Sequence, residues 1–76
     1  MKEILETIIT NLVSDKEAVA IKQIDGEQSV IFEVKVADAD MGKVIGKQGV
    51  IAKSIRTIMK AAASKENKRV SVEFLD

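Results

Sequence analysis

The chain has 76 residues, with twelve basic side chains balanced by twelve acidic ones and no cysteine, histidine or proline. This length holds one domain over residues 1–76, near the lower limit for an unassisted core, and the missing residue types exclude disulfide frameworks and Cys/His zinc sites. With no imidazole or thiolate available for proton shuttling or attack, the expectation is a protein that is not an enzyme and needs no cofactor. No signal-peptide pattern opens the chain and no apolar run is long enough to cross a bilayer, which predicts a cytoplasmic protein with no membrane partner.

The formal net charge of zero hides a division. Residues 1–40 carry four basic against nine acidic side chains, and residues 41–76 carry eight basic against three acidic. From Met41 to Lys65 there is no acidic residue at all, while Lys43, Lys47, Lys53, Arg56, Lys60 and Lys65 fall in that stretch. One-sided positive charge of this kind suits a polyanion.

In chain order, Ile4, Leu5, Ile8, Ile9, Leu12 and Val13 recur at helical spacing and predict a first helix, ended by Ser14-Asp15-Lys16. Glu17 to Ile24 reads as a strand, and Asp25-Gly26 as a hairpin turn. Val30, Phe32, Val34 and Val36 then alternate with Ile31, Glu33 and Lys35, the period of a half-buried strand. Asp40 is placed to cap a short helix, Met41 to Ile45, which Gly46 stops. A longer helix follows Gly49 and runs to about Ser64, with Ile51, Ile55, Ile58, Met59 and Ala62 on the core face and Lys53, Arg56 and Lys60 opposite. After a loop from Ser64 to Arg69, Val70, Val72 and Phe74 alternate with Ser71, Glu73 and Leu75 and predict a last strand. The order helix, strand, strand, helix, helix, strand implies an α+β fold, a three-stranded sheet covered on one face by three helices.

Gly46-Lys47-Gln48-Gly49, between the short and the long helix, is the candidate site. A P-loop is excluded, because Gly42 and Gly46 are too close and Gln48 stands where the magnesium-binding hydroxyl belongs. A dinucleotide fingerprint is excluded because a helical turn, not a strand, precedes Gly46 and Gly49. Two glycines around two polar residues, between two helices, match the turn with which KH domains clamp a nucleic-acid backbone. Glycine removes the Cβ atoms that block close approach of a sugar-phosphate chain, and the next helix offers unpaired N–H groups to phosphate. Lys47 adds a charge contact, and Val44, Ile45 and Ile51 offer apolar wall for bases.

Bland roles account for other conspicuous residues. Asp38 and Asp40 are read as capping groups and not as a metal site, since no further ligands converge by spacing. Phe32 and Phe74, the only aromatics, fall on inward strand positions, which argues against sheets that stack bases on exposed rings. A helix-turn-helix reader of DNA is also disfavoured, because the basic helix lacks Asn or Gln for reading adenine.

The run Gly42-Lys43-Val44-Ile45-Gly46-Lys47-Gln48-Gly49, continued by Ile51-Ala52-Lys53-Ser54-Ile55-Arg56-Thr57, resembles the small bacterial single-KH-domain RNA-binding proteins of the KhpA (YlqC-like) family. The resemblance implies a type II, prokaryotic KH domain across the chain and single-stranded RNA as partner. It also implies a homodimer, or a heteromer with a second, larger KH-containing RNA-binding protein. The residues it points to for RNA are Lys43, Val44, Ile45, Gly46, Lys47, Gln48, Gly49, Val50, Ile51 and Lys53. Lys65, Lys68 and Arg69 fall on the loop that borders the groove in the type II arrangement. Two positions depart from the pattern: Val50 stands where relatives often carry a basic residue, and Ala52 where many carry a bulky aliphatic. The alternative expectation is a protein-interaction module sealed by an apolar patch around Val44, Val50 and Ile51.

Overall fold

The apolar stripe of the first segment folds as helix α1, Lys2–Leu12, in the computed structural model, which describes Met1–Asp76. Leu5 and Ile9 are fully buried, and Val13, just past the helix end, joins them in the core. On the exposed side the hydroxyls of Thr7 and Thr10 donate to the carbonyls of Glu3 and Glu6 at 2.9 and 2.7 Å, which satisfies them without a tertiary partner. The first strand, β1, spans Ala20–Asp25 and so begins later than the sequence suggests. Lys16–Ala18 forms a single 3-10 turn instead, closed by Ala18 N–H donating to Asp15 and Val19 N–H donating to Lys16.

Strand β2, Ser29–Lys35, pairs antiparallel with β1, Asp25 lying opposite Val30. The hairpin is therefore longer than the two-residue turn that Asp-Gly favours. Gly26 N–H donates to Ser29 at 2.8 Å, and Gly26 is not among the residues with positive φ. The alternation of β2 is as the pattern predicts: Val30, Phe32 and Val34 are buried, with Val36 just beyond the strand. Two helices then cross over the sheet, α2 at Met41–Ile45 and α3 at Val50–Lys65. The crossover returns the chain as β3, Arg69–Leu75, parallel to β2. Parallel neighbours require such a connection, so the helices between them are what the pairing demands. The sheet order is β1-β2-β3, with β2 in the centre.

All three helices contribute to the core on one face of this sheet. Leu5 and Ile9 of α1, Val44 of α2, and Ile55 and Met59 of α3 pack with the inner side chains of β2 and with Val72 of β3. The deep face of α3 is Ala52, Ile55, Met59 and Ala63, rotated from the predicted one. Ile58 is 47 % exposed and lies outside the core. Ala52 and Ala63 are buried although hydropathy alone ranks them beneath isoleucine. Helix α3 ends in a Schellman pattern, with Asn67 at φ 57, Asn67 N–H donating to Ser64 and Lys68 N–H donating to Ala63. Asparagine is one of the few residues that enter this left-handed conformation readily.

Candidate nucleic-acid interface

Helix α2 stops where the sequence places its stop. Gly46 takes φ 76 and ψ 173, a region open to glycine alone, while its N–H still donates to Gly42 at 2.9 Å. A Cβ built on Gly46 would lie 2.6 Å from Cγ1 of Ile51. Glycine is thus required here by both conformation and packing. Residues Lys47–Gly49 make one tight turn, closed by Gly49 N–H donating to Gly46 at 3.1 Å. Gly49 is also left-handed, at φ 77, but a Cβ there meets nothing within 4 Å. The first glycine shapes the turn, and the second leaves its outer surface clear.

Between them Gln48 adopts φ 57 and ψ 24, a left-handed conformation that costs a non-glycine residue about 1–2 kcal/mol. Nothing in the residue type signals this, and strain of this kind gathers at ligand clamps. Helix α3 begins at once, with no side-chain cap and no acidic residue in its first turn. Its positive end and free N–H groups face out of the turn uncompensated. Lys47, Gln48 and Lys53 are exposed, and none takes part in an ion pair or side-chain hydrogen bond.

Other expected site residues are placed differently. Val44 is fully buried in the core, so it offers no wall to a ligand. Ile45 and Ile51 are half-buried, and Val50 is 56 % exposed at the mouth of the turn. Lys43 is committed within the protein: its ammonium pairs with Asp40 at 3.1 Å and donates to the Ser14 hydroxyl. Asp40 itself makes no cap to α2. It is buried and accepts hydrogen bonds from the N–H groups of Asp15 at 2.9 Å and Ser14 at 3.2 Å, tying the end of α1 to the start of α2. The physical reason is reach: segments that are 25 and 26 residues apart in sequence meet here, and their unpaired N–H groups outcompete the helix's own.

These contacts have a consequence for pH. The N–H groups of Asp15 and then Ser14, with help from Lys43, hold the Asp40 carboxyl below its ordinary value of 3.8 against the opposing effect of burial. A group whose value is lower in the folded state stabilises the fold fully above its unfolded value, and that contribution disappears as pH falls through the folded one. Asp40→Asn is expected to lower the urea midpoint at neutral pH by more than Lys43→Ala does, and to remove part of the acid-side loss of stability below pH 3.8. Urea titrations across that range check this, and parallel acid profiles for variant and parent would refute it.

The basic face of α3 is not uniform either. Arg56 reaches across to β3, its Nε donating to the Val72 carbonyl at 3.0 Å and its guanidinium lying 5.5 Å from the centre of the half-buried Phe74 ring. With Lys60, Val70 and Glu73 it lines a depression of about 340 Å³ between α3 and β3. A second depression of about 540 Å³ shares Lys60 and Val70 and extends to Lys68 and Arg69. Lys65 faces elsewhere, beside Met1, Ile4, Ile58 and Ala62. No cluster of three His, Cys, Asp or Glu side chains is arranged to hold a metal.

A three-stranded sheet with β2 and β3 parallel, crossed by two helices joined through Gly46-Lys47-Gln48-Gly49 and flanked by an N-terminal helix and strand, is the architecture of a type II KH domain. The family described as KhpA/KhpB, KH domain, matches residues 2–74. A protein of Clostridium acetobutylicum named RNA-binding protein KhpA is 61 % identical over 75 residues, covering 99 % of this chain and all of the relative. Proteins of the same name from Caldanaerobacter subterraneus and Chlamydia pneumoniae are 57 % and 47 % identical, over 99 % and 100 % of this chain and 100 % and 97 % of their own lengths. The chain belongs to the KhpA/KhpB KH-domain family.

Proposed function

We propose that this protein binds single-stranded RNA, gripping the backbone of a segment of about four nucleotides at Gly46–Gly49, without catalysis and in the cytoplasm. The observation that carries the reading is the unobstructed turn at Gly49, set against the bare N-terminus of α3 with Lys47 and Lys53 unpaired beside it. The relatives' name, RNA-binding protein KhpA, supports RNA as the polyanion. Fluorescence anisotropy with a labelled single-stranded octamer is expected to show binding that weakens with salt, with a log–log slope of about −2 if some three phosphates are neutralised. Binding with no salt response would remove the backbone clamp from consideration.

The protein also works as a homodimer, or as a heteromer with a larger KH-containing RNA-binding protein. The support is an apolar surface on the side of α3 away from the groove, where Ile58 is 47 % exposed and Ile4 of α1 is 43 % exposed, with Met1, Ala61 and Ala62 between them. This replaces the patch around Val44, Val50 and Ile51, since Val44 is core and Ile51 is half-buried. Pairing raises avidity for long RNA without adding a contact. Light scattering is expected to report a dimer for the parent and a monomer for Ile58→Asp, while affinity for a short octamer stays the same. A monomeric parent would dispose of the homodimer.

A further inference from the structure

Arg56 is held in place by two contacts of different kinds. The hydrogen bond from Nε to the Val72 carbonyl, at 3.0 Å, fixes one edge of the guanidinium. The Phe74 ring, 5.5 Å from the guanidinium carbon, supports its plane. No carboxylate pairs with Arg56, and its Nη groups have no acceptor within the protein. What remains is a planar fork of donors, already oriented, on the wall of the depression between α3 and β3.

The strand beneath sharpens the chemistry. Strand β3 pairs only with β2, so its other edge is free. A residue in a strand turns its N–H and C=O to the same side, and the Val72 carbonyl meets Arg56 on the free side. The Val72 N–H therefore faces the depression as well. At Val72 itself the carbonyl is occupied by Arg56, so its N–H and the Nη groups of Arg56 are the donors left open there. Glu73 lines the same depression, and its carboxylate disfavours a phosphate there, while the half-buried Val70 side chain offers apolar surface to a base.

We propose that Arg56 makes this groove select bases with two adjacent acceptors, guanine through O6 and N7 and cytosine through O2 and N3, over adenine and uracil. Adenine sets an amino donor beside N7, and uracil sets N3–H beside each carbonyl, so neither satisfies both arms of the fork. Arg56 is here a specificity-determining residue. The inference rests on the RNA reading above and adds to it the chemistry of the base.

The test uses the intact protein and labelled oligouridine octamers carrying one central guanine, cytosine, adenine or 7-deazaguanine, read by anisotropy. The parent is expected to bind the guanine and cytosine octamers about tenfold more tightly than the adenine and all-uridine ones. Removing N7 in 7-deazaguanine should abolish the guanine advantage without any change to the protein. Arg56→Lys keeps the charge but not the fork, and Arg56→Ala frees the Val72 carbonyl. In both, the guanine and cytosine octamers should fall to the affinity that the same variant shows for all-uridine, and Arg56→Ala should raise adenine relative to uridine. A parent that binds all octamers equally, or variants that weaken all of them by one factor, overturns the assignment and makes Arg56 at most a phosphate contact. In either case salt-sensitive binding that is lost in Lys47→Asp/Gln48→Asp leaves the clamp standing. No binding by the parent to any octamer overturns both.

Discussion

Lys47→Asp combined with Gln48→Asp is expected to reduce RNA affinity about 100-fold while the fold persists. Both side chains are exposed and take part in no side-chain hydrogen bond or ion pair, so the core is untouched. Gln48 sits at φ 57, and aspartate tolerates that conformation as well as glutamine does. The electrostatic change is large by comparison. Lysine to aspartate and glutamine to aspartate together alter the turn by three unit charges, each worth about 1 kcal/mol against a phosphate at contact distance in water. The sum, about 3 kcal/mol, corresponds to about two decades in affinity. Anisotropy at low salt measures it, with thermal melts as the control for folding. Undiminished affinity in a folded variant would place the RNA elsewhere on the molecule.

The two glycines of the turn should respond to alanine in opposite registers. Gly46→Ala puts a methyl group 2.6 Å from Cγ1 of Ile51 on a backbone at φ 76, ψ 173 that L-residues avoid. Strain and overpacking together amount to about 2–5 kcal/mol. A domain of this size holds only about 4–11 kcal/mol in total, so the variant should melt well over 10 °C below the parent or fail to fold. Gly49→Ala meets open space on a left-handed backbone and should lose about 1 kcal/mol, a shift of about 4–8 °C. Its larger effect falls on binding, because the added Cβ occupies the surface an RNA backbone approaches. Calorimetry and anisotropy on the same two variants separate these effects. Equal melting temperatures for both would contradict the division of roles.

A single helix serves two surfaces in this arrangement. Arg56 and Lys60 line the groove side of α3, while Ile58, Ala61 and Ala62 form its apolar far side. Changes on one side can thus be made without touching the other, which is why the Ile58 and Arg56 variants serve as independent probes.

Local order was legible in the residues wherever one element answers for itself. The end of α2 at Ile45 followed from Gly46 after it, and the inward set Val30, Phe32, Val34 and Val36 followed from strict alternation. The glycine turn and the separation of basic from apolar faces on α3 could likewise be read from spacing, because steric demand and periodicity are properties of a short stretch of chain. Contacts between distant stretches were not legible. Asp40 is diverted from capping by the N–H groups of Ser14 and Asp15, which also commits Lys43. Val44 is claimed by the core, Ile58 is left outside it, and Arg56 is drawn to the edge of β3. The left-handed Gln48 is likewise unannounced by its residue type. The sequence by itself determined the elements, their order, the clamp-like turn and the charge around it, all of which depend on residues near one another along the chain. Only the tertiary structure decided which cations remain free for a ligand, because that depends on partners that folding brings together from far apart.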